Sequence, residues 1–147
     1  MSKAVELANA VVSRINAAYF ESVGTVVAGR KFVAVLDKEG ISDGIAVRVV
    51  PTGNELAKEA KSTWLNSLTV GVGVTRKLSE DDSEADSEAQ ESMDFMDEIS
   101  DLLSSEPLAF GGRRAVVEEI TADPIFSQEA FLRREFIAVV SFRFKVL

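Results

Sequence analysis

Apolar residues at the start of the chain recur every three or four positions, at Val5, Ala8, Val12, Ile15 and Tyr19. That period predicts an amphipathic helix of about five turns, with Ser2 placed to cap its first turn. Gly24 and Gly29 interrupt the pattern, and the period then changes. Phe32-Val33-Ala34-Val35-Leu36 reads as a strand ending at Asp37 in a polar turn through Gly40 and Gly44. Ile45-Ala46-Val47-Arg48-Val49-Val50 reads as another, with Ile45, Val47 and Val49 on one face, Arg48 on the other and Pro51 as its stop. The turn between these strands predicts a hairpin. Residues 54–62 suit a short helix or an irregular excursion. From Leu68 to Lys77 the alternation is regular, with Leu68, Val70, Val72 and Val74 on one face and Thr69, Gly71, Gly73 and Thr75 on the other. Glycines so placed leave room for another backbone or subunit to approach, although a bulge or a poorly packed edge is the commoner cause.

The pattern breaks at Ser79. Ten acidic residues fall between Ser79 and Glu98, and the first half of that stretch, to about Glu91, is apolar-poor and reads as a flexible segment or a fraying helix start. From about Glu91 onward, Phe95, Ile99, Leu102 and Leu103 restore helical spacing, with Pro107 marking the stop. After a Gly111-Gly112 turn, Ala115 to Ile120 reads as a strand, and Ala122 to Ser127, with Pro124, as a loop. The closing strand is the strongest in the chain: Phe136, Ala138, Val140, Phe142, Phe144 and Val146 lie on one face, Ile137, Val139, Ser141, Arg143 and Lys145 on the other. The predicted order is α-β-β-β-α-β-β. It implies a single α+β domain over residues 1–147, with a largely antiparallel sheet of about five strands and two main helices on one face.

Composition narrows the chemistry. With 147 residues and 46% apolar content the chain has the length and the side chains for one core. It has no Cys and no His, which removes disulfides, thiolate nucleophiles, Cys-ligated metals and the commonest general base near neutral pH. The net charge is −8, from 16 Lys plus Arg against 24 Asp plus Glu. That balance argues against phosphate binding over the whole surface. The charge is also uneven: outside the ten acids of the 79–98 stretch, 16 bases meet 14 acids. No apolar run approaches the ~20 residues of a membrane span, and the N-terminus does not read as a secretory signal.

Local motifs add little. Gly71/Gly73 and Gly111/Gly112 lack the companions of a phosphate loop, and no cofactor is expected. Asp81, Asp82, Glu84 and Asp86 lack the ligand spacing and central Gly of a calcium loop, so a solvated acidic face is the plainer reading. Trp64 suits an interface anchor or the rim of a core. Arg113 and Arg114 suit contacts to phosphate or to an acidic neighbouring subunit, and Arg133 and Arg134 a bridge to the acidic segment of another copy, although solvated arginines are the commoner case.

Taken together, several segments resemble one family. The N-terminal helix, Ala46-Val47-Arg48-Val49-Val50-Pro51, the strand Leu68 to Val74, the helix end Ile99-Ser100-Asp101-Leu102-Leu103, and Asp123-Pro124-Ile125-Phe126 through Leu132-Arg133-Arg134-Glu135-Phe136 into the last strand resemble tail-terminator proteins from the neck of long-tailed double-stranded DNA bacteriophages. The resemblance implies a non-enzymatic virion subunit assembled in the host bacterial cytoplasm. It implies a hexameric ring that caps the head-proximal end of the tail tube, ends tube polymerisation and joins a head-tail connector, with DNA passing through the lumen. The acidic insertion from Ser79 to Glu91 is longer and more charged than the family suggests. A closed ring needs two unlike complementary patches on each subunit. Arg113, Arg114, Arg133 and Arg134, with Trp64, are candidates for one; Glu80, Asp81, Asp82, Glu84, Asp86 and Glu88 are candidates for the other, or for a lumen lining that gives DNA no cationic partner. A head-tail adaptor or stopper ring is the neighbouring alternative. The readings from other classes are a small carboxylate-dependent enzyme and an acidic regulatory or DNA-mimic protein, and the concentration of acids in one segment speaks against the latter.

Overall fold

The computed structural model describes residues 2–32, 44–53, 67–122 and 127–147. Its elements are α1 (Lys3–Ala17), β1 (Ala28–Arg30), β2 (Ala46–Gly53), β3 (Ser67–Lys77), α2 (Asp82–Ser104), β4 (Leu108–Phe110), β5 (Arg113–Thr121), α3 (Gln128–Leu132) and β6 (Glu135–Val146). The fold is α+β, with a sheet of six strands in the order β1-β2-β3-β6-β5-β4. The two segments with the longest alternation lie side by side at its centre, antiparallel from Ser67 opposite Lys145 to Lys77 opposite Glu135. Their register stacks like on like. Leu68, Val70, Val72 and Val74 sit opposite Phe144, Phe142, Val140 and Ala138, so one face of the sheet is continuously apolar.

Both long helices cover that face. Leu7, Val11 and Ile15 of α1 and Phe95, Ile99 and Leu103 of α2 join the strand residues in one buried cluster. Burial of each such side chain contributes about 1.5–3 kcal/mol, so this layer carries most of the fold's stability. The buried stripe of α1 is Ala4, Leu7, Ala8, Val11 and Ile15. It is rotated from the predicted one: Ala8 and Ile15 are shared, Val12 lies on its flank, and Tyr19, beyond the helix, is 76% exposed. Ser2 caps α1, its hydroxyl accepting from the Val5 N–H.

Four features differ from the sequence expectation. The sheet has six strands, because Leu108–Phe110 forms a short strand against Arg113–Ala115. The Gly111-Gly112 pair between them is a two-residue loop with φ of 50° and 76°, the left-handed geometry that suits the twist of a tight hairpin. The strand beside β2 is Ala28–Arg30, which no sequence pattern marked, and it runs parallel to β2; the hairpin expected between a strand at 32–36 and β2 rests on residues outside those described. The expected strand at Phe32 to Leu36 lies, beyond Phe32, outside the described residues, as do the 54–62 segment and Pro124. A short helix, α3, precedes the last strand, capped by the Ser127 hydroxyl accepting from the Ala130 N–H.

The largest difference is α2, which begins at Asp82 rather than near Glu91. Its acidic first half is helical because its end is well capped. The Asp81 carboxylate accepts from the N–H groups of Ser83 and Glu84, and Asp82 and Glu84 lie in the first turn, where the helix dipole favours negative charge. Ala85, fully buried, anchors that turn to the core.

Candidate assembly surfaces

The acidic stretch is tied down residue by residue. The Ser79 hydroxyl donates to Glu84 Oε1 at 2.7 Å, and the Ser79 N–H donates to Glu88 Oε1 at 2.8 Å. Asp82 pairs with the Arg134 guanidinium of the same chain. Asp81 accepts a hydrogen bond from the Ser83 hydroxyl at 2.8 Å besides its two N–H donors. These bonds, the Ser83 hydroxyl foremost, stabilise the carboxylate and hold its pKa below the ordinary aspartate value. Glu80 and Asp86 stay exposed. Of the four residues weighed as a calcium loop, Asp81, Asp82 and Glu84 thus have protein partners. Among the described residues no group of three acidic side chains is arranged to hold a metal ion.

The four arginines do not form one patch. Arg113 and Arg114 open β5 next to the end of β6, where Ala115 faces Val146, whereas Arg133 and Arg134 precede its start at Glu135. The twelve residues of β6 lie between them, about 40 Å at ~3.3 Å per residue. Arg113 lies 3.9 Å from Glu6 of α1, and Arg114 is exposed. Arg133 reaches Glu129 at 3.8 Å and Glu135 at 3.5 Å. Arg134 has a structural part: with φ at 62° it closes α3, its carbonyl accepts from the Leu78 N–H, and its side chain holds Asp82. The two charge patches expected to face each other across subunits therefore meet, at Arg134 and Asp82, within one chain. Trp64 lies outside the described residues.

The sheet has two unlike edges. In β5 the register shifts between Val117, opposite Phe144, and Glu119, opposite Arg143. The extra residue of this bulge is Glu118, and it brings two consecutive glutamates to one arginine. Arg143 Nε meets Glu118 Oε2 at 3.1 Å, and Nη1 meets Glu119 Oε1 at 3.0 Å. Beyond the bulge Ile120, opposite Phe142, is 43% exposed. Because β4 pairs only with Arg113, Arg114 and Ala115, no strand among the described residues covers the outer edge of β5 beyond that point.

The opposite edge, β1, is capped at Ala28 by a side chain. Asn16 accepts from the Ala28 N–H at 2.6 Å and donates to the Ala28 carbonyl at 3.2 Å, taking the place of a neighbouring strand. This edge is basic and apolar. Arg30 lies over the Phe32 ring at 4.8 Å, Lys31 is exposed, and Val27 and Phe32 are 86% and 68% exposed. Next to it a cleft of about 660 Å³ is lined by Tyr19, Val23, Val27, Ile45, Arg76 and Glu91, among others. Arg76 crosses it, its Nη1 2.8 Å from Glu91 Oε1 and 3.3 Å from the Ser92 hydroxyl.

Sequence reasoning missed the side chains that join elements: Asn16, Arg76, Arg143, Arg14 on the carbonyls of Glu106 and Pro107, and Glu98 accepting from the N–H groups of Glu21 and Ser22. Each bridges positions distant in sequence or in different elements, and no local pattern marks them. No protein-family model matches the chain, and no curated protein matches it.

Proposed function

We propose that the protein is a structural subunit of a phage neck, a tail terminator that forms a hexameric ring at the head-proximal end of the tail tube, halts tube growth and docks a head-tail connector while DNA passes through. The observation that carries this reading is the pair of unlike sheet edges, one basic and apolar at Arg30, Lys31 and Phe32, the other acidic at Glu118 and Glu119. A subunit that repeats head to tail around an axis needs two different, complementary surfaces. The resemblance of the helices and the closing strand supports the family, and the negative balance suits a ring through which DNA slides without binding.

The test combines native mass spectrometry with negative-stain imaging of the chain, alone and with tail-tube subunits. Six-fold rings at tube ends and shortened tubes are the expected result. Tubes of unchanged length, with the chain monomeric beside them, would overturn the proposal. Rings that bind portal or connector but leave tube length unchanged would move the role to an adaptor or stopper.

A further inference from the structure

The chain carries the two halves of one contact on opposite edges of its sheet. Lys31-Phe32 on the β1 side and Glu119-Ile120 on the β5 side are both a charged residue next to an exposed apolar one, and the charges are opposite in sign. Within one chain they cannot meet. β2, β3 and β6 lie between β1 and β5, so the edges are separated by four strand spacings, about 19 Å at ~4.8 Å each.

We infer that the β1 edge of one copy docks on the outer edge of β5 of a second copy, with Lys31 facing Glu119 and Phe32 packing on Ile120, while Glu118 stays turned inward onto Arg143 and the Ser67 hydroxyl. This deepens the ring reading and rests on it, since it names the surfaces through which successive subunits join. Like-on-like contacts are disfavoured by charge. Two β5 edges facing each other would set Glu119 against its own copy, with only one Arg143 per edge to offset it and Glu118. Two β1 edges would set Lys31 against itself. Only the unlike pairing places opposite charges across the seam, and unlike pairing builds a ring where a symmetric pairing stops at a dimer. Asn16 fixes the character of the contact. It occupies the Ala28 N–H and carbonyl, so no backbone ladder can run through that residue and the contact lies at Lys31 and Phe32 beyond it. The same closure limits indiscriminate strand addition at that edge.

The absence of Cys from the chain makes the test direct, because introduced thiols have no competitors. The double variant Lys31→Cys with Glu119→Cys, oxidised under native conditions, is expected to give a ladder of covalent multiples that ends at the ring. Each single variant is expected to give no more than traces of dimer. Circular dichroism of the reduced proteins controls for folding, and the reciprocal swap of Lys31→Glu with Glu119→Lys gives a second readout: each single change weakens self-association several-fold and the pair together restores it. A double-cysteine variant that forms no more than the single ones overturns the inference, as does efficient dimerisation of Glu119→Cys alone. The ring reading fails separately. Rings in native mass spectra without cross-linking remove the edge assignment and leave the ring, a ladder that grows without closing removes the ring and leaves the edge contact, and a chain that neither associates nor cross-links removes both.

Discussion

Phe95 shows what a single residue holds in this fold. Its ring is fully buried on α2 and meets Phe20 edge to face, with centroids 4.9 Å apart, so it joins the turn after α1 to the second helix. Phe95→Ala removes both the buried area and the ring pair. It is expected to lower unfolding stability by about 3–5 kcal/mol, measured by urea denaturation, with Phe95→Leu costing clearly less. Equal losses for the two would mean that the site collapses around any smaller side chain. Asp81 acts through charge instead. Its pKa is held down chiefly by the Ser83 hydroxyl, so its contribution to stability is fully present above the ordinary aspartate value of 3.8 and is lost as pH falls through the lower, folded value. Asp81→Asn keeps an acceptor and removes the titration. The difference in urea midpoint between wild type and Asp81→Asn should therefore be largest near neutral pH and shrink below the aspartate range. A difference independent of pH would show that the cap does not depend on the charge.

At the level of elements, the β4–β5 hairpin and the start of α2 depend on unusual backbone and on one ion pair. Gly112 has φ at 76° with open space around a would-be Cβ. Gly112→Ala therefore meets only backbone strain and should cost about 1–2 kcal/mol. Gly111→Ala would in addition bring its Cβ to 2.9 Å from Glu6 Oε2 and displace that side chain. Arg134 joins α3, the end of β3 and the start of α2, so Arg134→Glu should destabilise the monomer by about 1 kcal/mol, as expected for a paired surface charge, with Asp82→Lys as the rescue. Arg133→Glu, on an exposed turn, should change stability by less than about 0.5 kcal/mol. The reverse order would remove the structural part assigned to Arg134.

These elements also show how far the sequence could be read. The α+β class, the central strands and the buried face of α2 follow from periodicity, because β3 and β6 alternate over ten residues or more and α2 keeps helical spacing at Phe95, Ile99 and Leu103, whereas the face of α1 came out rotated. The first half of α2 was hidden because charge density suggests a coil while a single Asp cap and the buried Ala85 favour the helix. β4 was hidden by its three residues, although two glycines between apolar residues are a hairpin signal. The edges could not be read at all: the Glu118 bulge and the Asn16 closure depend on register, and register is set by partners distant in sequence.

For the whole molecule, net charge and the proposed edge contact act against each other, and ionic strength separates them. Each copy carries −8, and a chain of this length has a radius of gyration of about 15 Å. At about 0.01 M salt the Debye length is roughly 30 Å, so approaching copies repel as whole charged bodies and association is weakest. Near 0.15 M it falls to about 8 Å, and only groups at the seam sense one another. There Lys31 attracts Glu119 while the acidic first half of α2 is screened. Near 1 M it is about 3 Å, and the seam pairs are screened as well, leaving Phe32 on Ile120. Sedimentation equilibrium should then show self-association rising from low to physiological salt and weakening again toward 1 M. Lys31→Glu should abolish the maximum, because like charges at the seam turn the local attraction into repulsion. Tightest association at the lowest salt would mean that attraction between edges outweighs the net charge at all distances, and a rise continuing to 1 M would make the contact apolar throughout.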